Sequence, residues 1–154
     1  MGTLDPRQGT AGGKFARMYR DSPPAEFSPK EIRMQILLVD DDPGFRSTLK
    51  KVIETRGGFS IREAGDGEEA VQMSREYRPD IILMDLAMPR LNGLEATRII
   101  KEENPESCIV ICSVYNESIY FKAAFDHGAD AFMQKSMCFS DLDSVEKLVM
   151  ERQA

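Results

Sequence analysis

The sequence predicts an α/β domain: a single five-stranded parallel sheet, doubly wound as (βα)5, with strand order 2-1-3-4-5. Three observations carry this prediction. Three short apolar runs are near-continuous instead of alternating, as strands buried on both faces of a parallel sheet are. Amphipathic stretches with helical spacing lie between them. Strand-like and helix-like segments alternate five times in about 120 residues, and right-handed crossovers then place helices on both faces of the sheet.

The first strand is the run 35–39, Ile36-Leu37-Leu38-Val39 after Gln35. A helix follows, with Phe45, Leu49, Val52 and Ile53 at i, i+4, i+7 and i+8, Pro43 near its start and Gly57-Gly58 at its end. Residues 59–63 form a weaker strand candidate, and Ala70, Met73 and Tyr77 share the face of the next helix. The third strand is 81–84, Ile81-Ile82-Leu83-Met84, followed by a helix marked by Ala96, Ile99 and Ile100. The fourth is 108–112, Cys108-Ile109-Val110-Ile111-Cys112, and residues 119–125 make a helix with Gly128 where a terminating glycine sits. Residues 131–134 are the second weaker strand, and Leu142, Val145 and Val149 mark the last helix.

A length of 154 residues suits one domain, and 42% hydrophobic residues are enough for a core that needs no disulfide or structural metal. The three cysteines, Cys108, Cys112 and Cys138, are odd in number and two lie in an apolar run, so they read as buried free thiols in a reducing cytoplasm. With His127 the only histidine and no CxxC pair, a zinc site is not expected. A net charge of −6 weighs against direct nucleic-acid binding. No apolar run reaches the roughly 20 residues of a membrane span, and nothing near the N-terminus resembles a signal peptide, so the default expectation is a cytoplasmic protein. Residues 1–33 are rich in glycine and proline and lack periodicity. They read as a flexible N-terminal extension or an appended leader, in which Phe15, Met18, Tyr19 and Phe27 are able to dock, ahead of a folded domain over 34–154.

In such a sheet, ligands bind beyond the carboxyl ends of the strands, where the strand order reverses. Strand one runs into Asp40, Asp41 and Asp42, and its neighbour, strand three, runs into Asp85. Crowded carboxylates each want a cation, and a hard divalent ion such as Mg²⁺ suits an oxygen-only cluster. Capping of the following helix accounts for Asp42 but not for Asp40, Asp41 and Asp85 together. Strand four runs into Ser113 and strand five into Lys135. Alone, each is an ordinary turn residue or salt-bridge partner. Together the strand ends supply acids, a hydroxyl and an ammonium, an inventory suited to phosphoryl transfer onto a carboxylate.

These motifs resemble response-regulator receiver domains of two-component signalling. The resemblance rests on Ile36-Leu37-Leu38-Val39-Asp40-Asp41-Asp42-Pro43, on Pro79-Asp80-Ile81-Ile82-Leu83-Met84-Asp85-Leu86-Ala87-Met88-Pro89 with Gly93 following, on Ser113, and on Gly128-Ala129-Asp130-Ala131-Phe132-Met133-Gln134-Lys135. It covers about residues 34–152 and implies a flavodoxin-like fold. It implies Asp85 as phosphoacceptor, and Mg²⁺, or Mn²⁺ in its place, held by Asp41, Asp85 and the backbone carbonyl of Ala87, with Asp40 acting through a water. It further implies that Lys135 pairs with the Asp85 carboxylate and then with the phosphoryl group, that the Ser113 hydroxyl moves to bond a phosphoryl oxygen, and that Phe132 changes rotamer with it. Implied partners are a sensor histidine kinase or histidine phosphotransfer protein, and an effector protein or a C-terminal output domain absent from this chain. They are met through the surface of helix four, strand five and helix five, with a phosphorylation-dependent homodimer as a further partner. The resemblance implies a switch and not a turnover enzyme.

The sequence departs from the commonest family pattern in three places. Ser136 stands where many members carry proline after the lysine, as in the branch that precedes helix-turn-helix DNA-binding domains. A cis bond before serine costs about 3 kcal/mol, so a trans link or a strained loop is expected. Ala87 and Tyr115, each two residues beyond a site residue, offer no carboxylate or amide to orient water, so slow phosphoryl loss is expected. Ala87 also removes the second acid that an aspartate-nucleophile phosphatase needs. A calcium loop at residues 40–42 lacks the required glycine and glutamate. A pseudo-receiver that is never phosphorylated is the remaining alternative, although such modules usually lose the acceptor or the lysine, and both are present here.

Overall fold

The computed structural model describes residues 34–153, and the extension read over residues 1–33 lies outside them. Five strands alternate with five helices: β1 Met34–Val39, α1 Pro43–Arg56, β2 Phe59–Ala64, α2 Gly67–Tyr77, β3 Ile81–Asp85, α3 Gly93–Glu103, β4 Cys108–Ser113, α4 Ser118–Asp126, β5 Ala131–Gln134 and α5 Leu142–Gln153. All strand pairs are parallel, as the apolar runs predict, and the order is β2-β1-β3-β4-β5, the order expected of a doubly wound sheet of this size. Strands β3 and β4 each extend one residue further than their apolar runs, taking in Asp85 and Ser113, because ladder pairing continues through polar side chains.

Strand side chains alternate between two cores. Ile36, Leu38, Leu83 and Val110 pack with Leu49 and Ile53 of α1 and Leu142, Val145 and Val149 of α5. Leu37, Val39, Ile82, Met84, Ile109 and Ile111 pack on the other face with Ala70 of α2, Ala96 and Ile100 of α3, and Ala124 of α4. Cys108, Cys112 and Cys138 are buried free thiols. In α2 the buried side is Gly67, Ala70, Val71 and Ser74, so Met73 and Tyr77 flank the core instead of filling it. In α4 only Ala124 is buried, and Ile119 is 70% exposed beside the exposed Phe121 and Phe125.

The starts of α1, α2 and α3 are capped by side chains. Asp42 accepts from the Gly44 amide at 2.9 Å with Pro43 at the first helical position, which is the capping role its position before proline suggests. Asp66 and Asn92 accept from the Glu69 and Glu95 amides at 2.8 and 3.0 Å. Gly128 follows α4 with φ 102°, a backbone conformation that favours glycine at a helix end. No peptide bond among the described residues is cis, so Lys135–Ser136 is a trans link, and a short 3₁₀ turn over Lys135–Met137 carries the chain towards α5. Among the described residues no helix is long and apolar enough to cross a membrane.

Candidate functional site

Parallel pairing brings the carboxyl ends of the central strands level. Val39 pairs with Met84, Asp85 with Cys112, and Ser113 with Gln134, so the residues that follow emerge at one edge. There Asp40, Asp41 and Asp85 offer carboxylate oxygens that all lie within 4.8 Å of one another. Asp40 and Asp85 are buried and Asp41 is exposed, so the cluster opens to solvent on one side. Asp42, the fourth acid of the sequence cluster, serves α1 as its cap.

The buried acids are only partly satisfied. Asp40 Oδ1 accepts from the Asp42 amide at 2.9 Å, and Asp85 Oδ1 accepts from the Leu86 amide at 2.9 Å. Lys135 Nζ lies 2.6 Å from Asp40 Oδ2 and 3.6 Å from Asp85 Oδ2, so it bridges the two carboxylates and sits closer to Asp40 than to the predicted partner Asp85. The short contact lies off the hydrogen-bonding direction, which leaves Asp40 Oδ2 buried without a hydrogen bond. Burial, with the Asp40 charge beside it, pushes the Asp85 carboxyl up to about 6 against the pull of Lys135. Burial alone would lower the Lys135 ammonium, but the Asp40 and Asp85 carboxylates outweigh it and hold the pKa above the ordinary lysine value. Oxygen-only donors, excess negative charge and one buried oxygen without a hydrogen bond fit a hard divalent cation.

The other predicted residues lie close by in sequence and pairing. Ser113 is fully buried at the end of β4, and its Oγ accepts from the Tyr115 amide at 3.0 Å. Phe132 is half-buried on β5, its ring tilted against Phe121 of α4 with centroids 4.3 Å apart. Ala87 is exposed on the loop two residues after Asp85.

That loop has supports with no local sequence signal. The Gly93 amide donates to Leu86 O at 2.8 Å, and a Cβ on Gly93 would stand 1.9 Å from the Asp85 carbonyl oxygen. The Gly67 amide donates to Leu91 O at 3.1 Å, where a Cβ would meet the same oxygen at 2.0 Å. Arg90, at φ 65°, is pinned by Asp66, whose Oδ2 accepts from Arg90 Nε at 3.0 Å. Behind Asp40, Arg46 donates to the Asp40 carbonyl and, through Nε, to Glu63 at 3.2 Å.

Known proteins agree with this architecture. The family model described as response regulator receiver domain matches residues 36–146. The chain is 33% identical over 122 residues to the transcriptional regulatory protein DegU of Brevibacillus brevis, across 79% of this chain and 52% of DegU. It is 40% identical over 102 residues to the chemotaxis protein CheY of Halobacterium salinarum, across 66% of this chain and 83% of CheY. Among solved structures it resembles a LuxR-family two-component response regulator from Aurantimonas sp. SI85-9A1, at 35% identity and a TM-score of 0.72, covering 77% of this chain and 86% of that one. The chain thus spans about half the length of DegU and most of CheY. A partly buried acid cluster at the carboxyl edge of a 2-1-3-4-5 sheet, and a family match over residues 36–146, place this chain in the response regulator receiver domain family.

Proposed function

We propose that Asp85 accepts a phosphoryl group from a phosphohistidine of a sensor kinase or phosphotransfer protein in a Mg²⁺-dependent step. The observation that supports this most is the bridging of Asp40 and Asp85 by Lys135 beside the exposed Asp41. In the reaction an Asp85 oxygen bonds to phosphorus, the phosphorus–nitrogen bond breaks, and the electron pair leaves with the imidazole. Asp41, Asp85 and the Ala87 carbonyl would hold Mg²⁺, with Asp40 reaching it through water and Mn²⁺ an acceptable substitute. Bound there, Mg²⁺ would supply positive charge to offset that on the transferring oxygens. Lys135 shifts from the carboxylates to a phosphoryl oxygen, and the Ser113 hydroxyl turns from Tyr115 to donate to another. The acyl phosphate carries close to two negative charges and three acceptor oxygens, which biases the β4–α4 connection and Phe132 towards a second arrangement.

The readout surface on this reading is α4, β5 and α5, where Ile119, Phe121 and Phe125 are exposed. It would meet an effector protein or an output domain, or pair two phosphorylated copies. Transcription regulators among the relatives support an output of that kind, with the DNA contacts made outside this acidic domain. A cytoplasmic location fits such partners. With Ala87 and Tyr115 providing no carboxylate or amide to direct water, self-dephosphorylation is slow and the domain is a switch and not a turnover enzyme.

Acetyl phosphate with Mg²⁺ should label the wild-type protein, read as the added mass of one phosphoryl group. Asp85→Asn and Asp41→Ala should remain unlabelled. Beryllofluoride, a phosphoryl mimic, should shift resonances of Ser113, Phe132 and Lys135 in the wild type. A wild-type protein that takes up neither reagent would leave only a pseudo-receiver, and a phosphoryl half-life of minutes would overturn the slow-loss reading.

A further inference from the structure

Lys135 has two kinds of neighbour, and only one of them is acidic. Its Nζ lies over the Phe45 ring, 4.6 Å from the ring centre, and also contacts the carboxylates of Asp40 and Asp85. Phe45 is the third residue of α1, and the Asp42 cap and the two Arg46 contacts fix the first turn that carries it. Phe139, four residues past Lys135, packs edge-on against the Phe45 ring, with centroids 5.5 Å apart and planes at 64°. The neighbouring Cys138 is fully buried and anchors that turn. A lysine side chain has a flexible four-carbon stem, and no ring of proline stiffens the next residue, which is Ser136.

We infer that the Phe45 ring, braced by Phe139, is a positioning residue that holds the Lys135 ammonium over Asp40 and Asp85. The inference rests on the phosphoacceptor reading above. The negative face of an aromatic ring attracts an ammonium and offers no hydrogen bond that would compete with a phosphoryl oxygen. Lys135 is therefore confined without being consumed, and its ammonium stays beside the acids. Phe45 packs against the core beneath α1, as Val52 does, and is half-buried, with its ring also meeting Lys135 and Phe139.

Two measurements test this. In metal-free protein carrying ¹³C-labelled lysine, the Lys135 ε-methylene protons should be shifted upfield by the ring current, and Phe45→Leu should return them to the range of the other lysines. In Mg²⁺ with acetyl phosphate, Phe45→Leu should slow labelling by about fivefold, the size of a partly buried cation–π contact. Phe45→Tyr, which keeps the ring face, should stay within about twofold of wild type, and Phe139→Leu should fall between the two. Unshifted Lys135 resonances in the wild type would overturn the inference. So would Leu and Tyr variants that label equally well or equally badly, and the resonance test stands even if Phe45→Leu folds poorly. A wild type that cannot be labelled at all would instead sink the phosphoacceptor reading and leave the ring contact to be judged by its resonances.

Discussion

The two edges of the sheet both carry carboxylates next to cations, and they treat them in opposite ways. At the amino edge, Asp130 Oδ2 accepts from the Ile109 amide at 2.8 Å and forms an ion pair with Lys101 at 2.7 Å, while Oδ1 accepts from Arg152 at 2.6 Å. Asp80 Oδ2 there accepts from the Gln35 amide at 2.7 Å. These acids stitch β1 to β3 and β4 to α5 and keep little unused capacity. At the carboxyl edge, Asp40 keeps one buried oxygen without a hydrogen bond, and Asp85 is lifted to about 6 by burial and by its acidic neighbour. Stability alone would select the first arrangement at both edges. The second is the arrangement that the proposed cation and phosphoryl group require.

That contrast breaks most sharply at Lys135. Lys135→Ala should slow phosphoryl uptake by about a hundredfold, the usual effect of losing one charge-stabilising donor. Unchanged labelling kinetics would mean the ammonium serves only the resting acids. Gly93→Ala should cost about 3 kcal/mol or more in chemical denaturation, since the added carbon collides with the backbone of Asp85 itself. Asp130→Asn removes a charge with three partners and should cost about 2 kcal/mol while leaving labelling intact, so the two edges separate into stability and function. Any loss of labelling in that variant would erase the distinction.

The smallest effect is at Asp66, where a cap supports the site from a distance. Its carboxyl is held below the ordinary value by the Glu69 amide first and by Arg90 next. A depressed folded pKa adds stability above the unfolded value and loses it as pH falls through the folded one. Asp66→Ala should therefore cost about 1 kcal/mol at neutral pH, and the gap to wild type should narrow below about pH 4 and close in stronger acid. A gap that persists in acid would assign the effect to packing.

Much of this was readable from residue order, because burial on both faces leaves continuous apolar runs and helices leave a 3.6-residue rhythm. The weak strand 131–134 was found at its true limits by apolar content alone. The ends of β3 and β4 fell one residue short, since Asp85 and Ser113 are polar and pairing is set by the partner strand. The acids, Ser113 and Lys135 were legible because the strand order alone gathers them. The preference of Lys135 for Asp40, the Arg90–Asp66 clasp and the steric demands of Gly67 and Gly93 were not. Each depends on a through-space contact that local periodicity cannot encode. Phe45 was legible only as a helix-face residue, which hides its second surface towards Lys135.

The sparse anchoring of α4 has a dynamic consequence. One buried alanine, no side-chain cap and a row of apolar groups in water leave this helix little to lose on lifting from the sheet. Local opening costs least where few buried contacts are broken, so the amides of α4 should exchange with deuterium ahead of those of α1 and α5. The helix between Ser113 and Phe132 is thus a part of the fold whose displacement breaks few buried contacts, chiefly those of Ala124 with the second core.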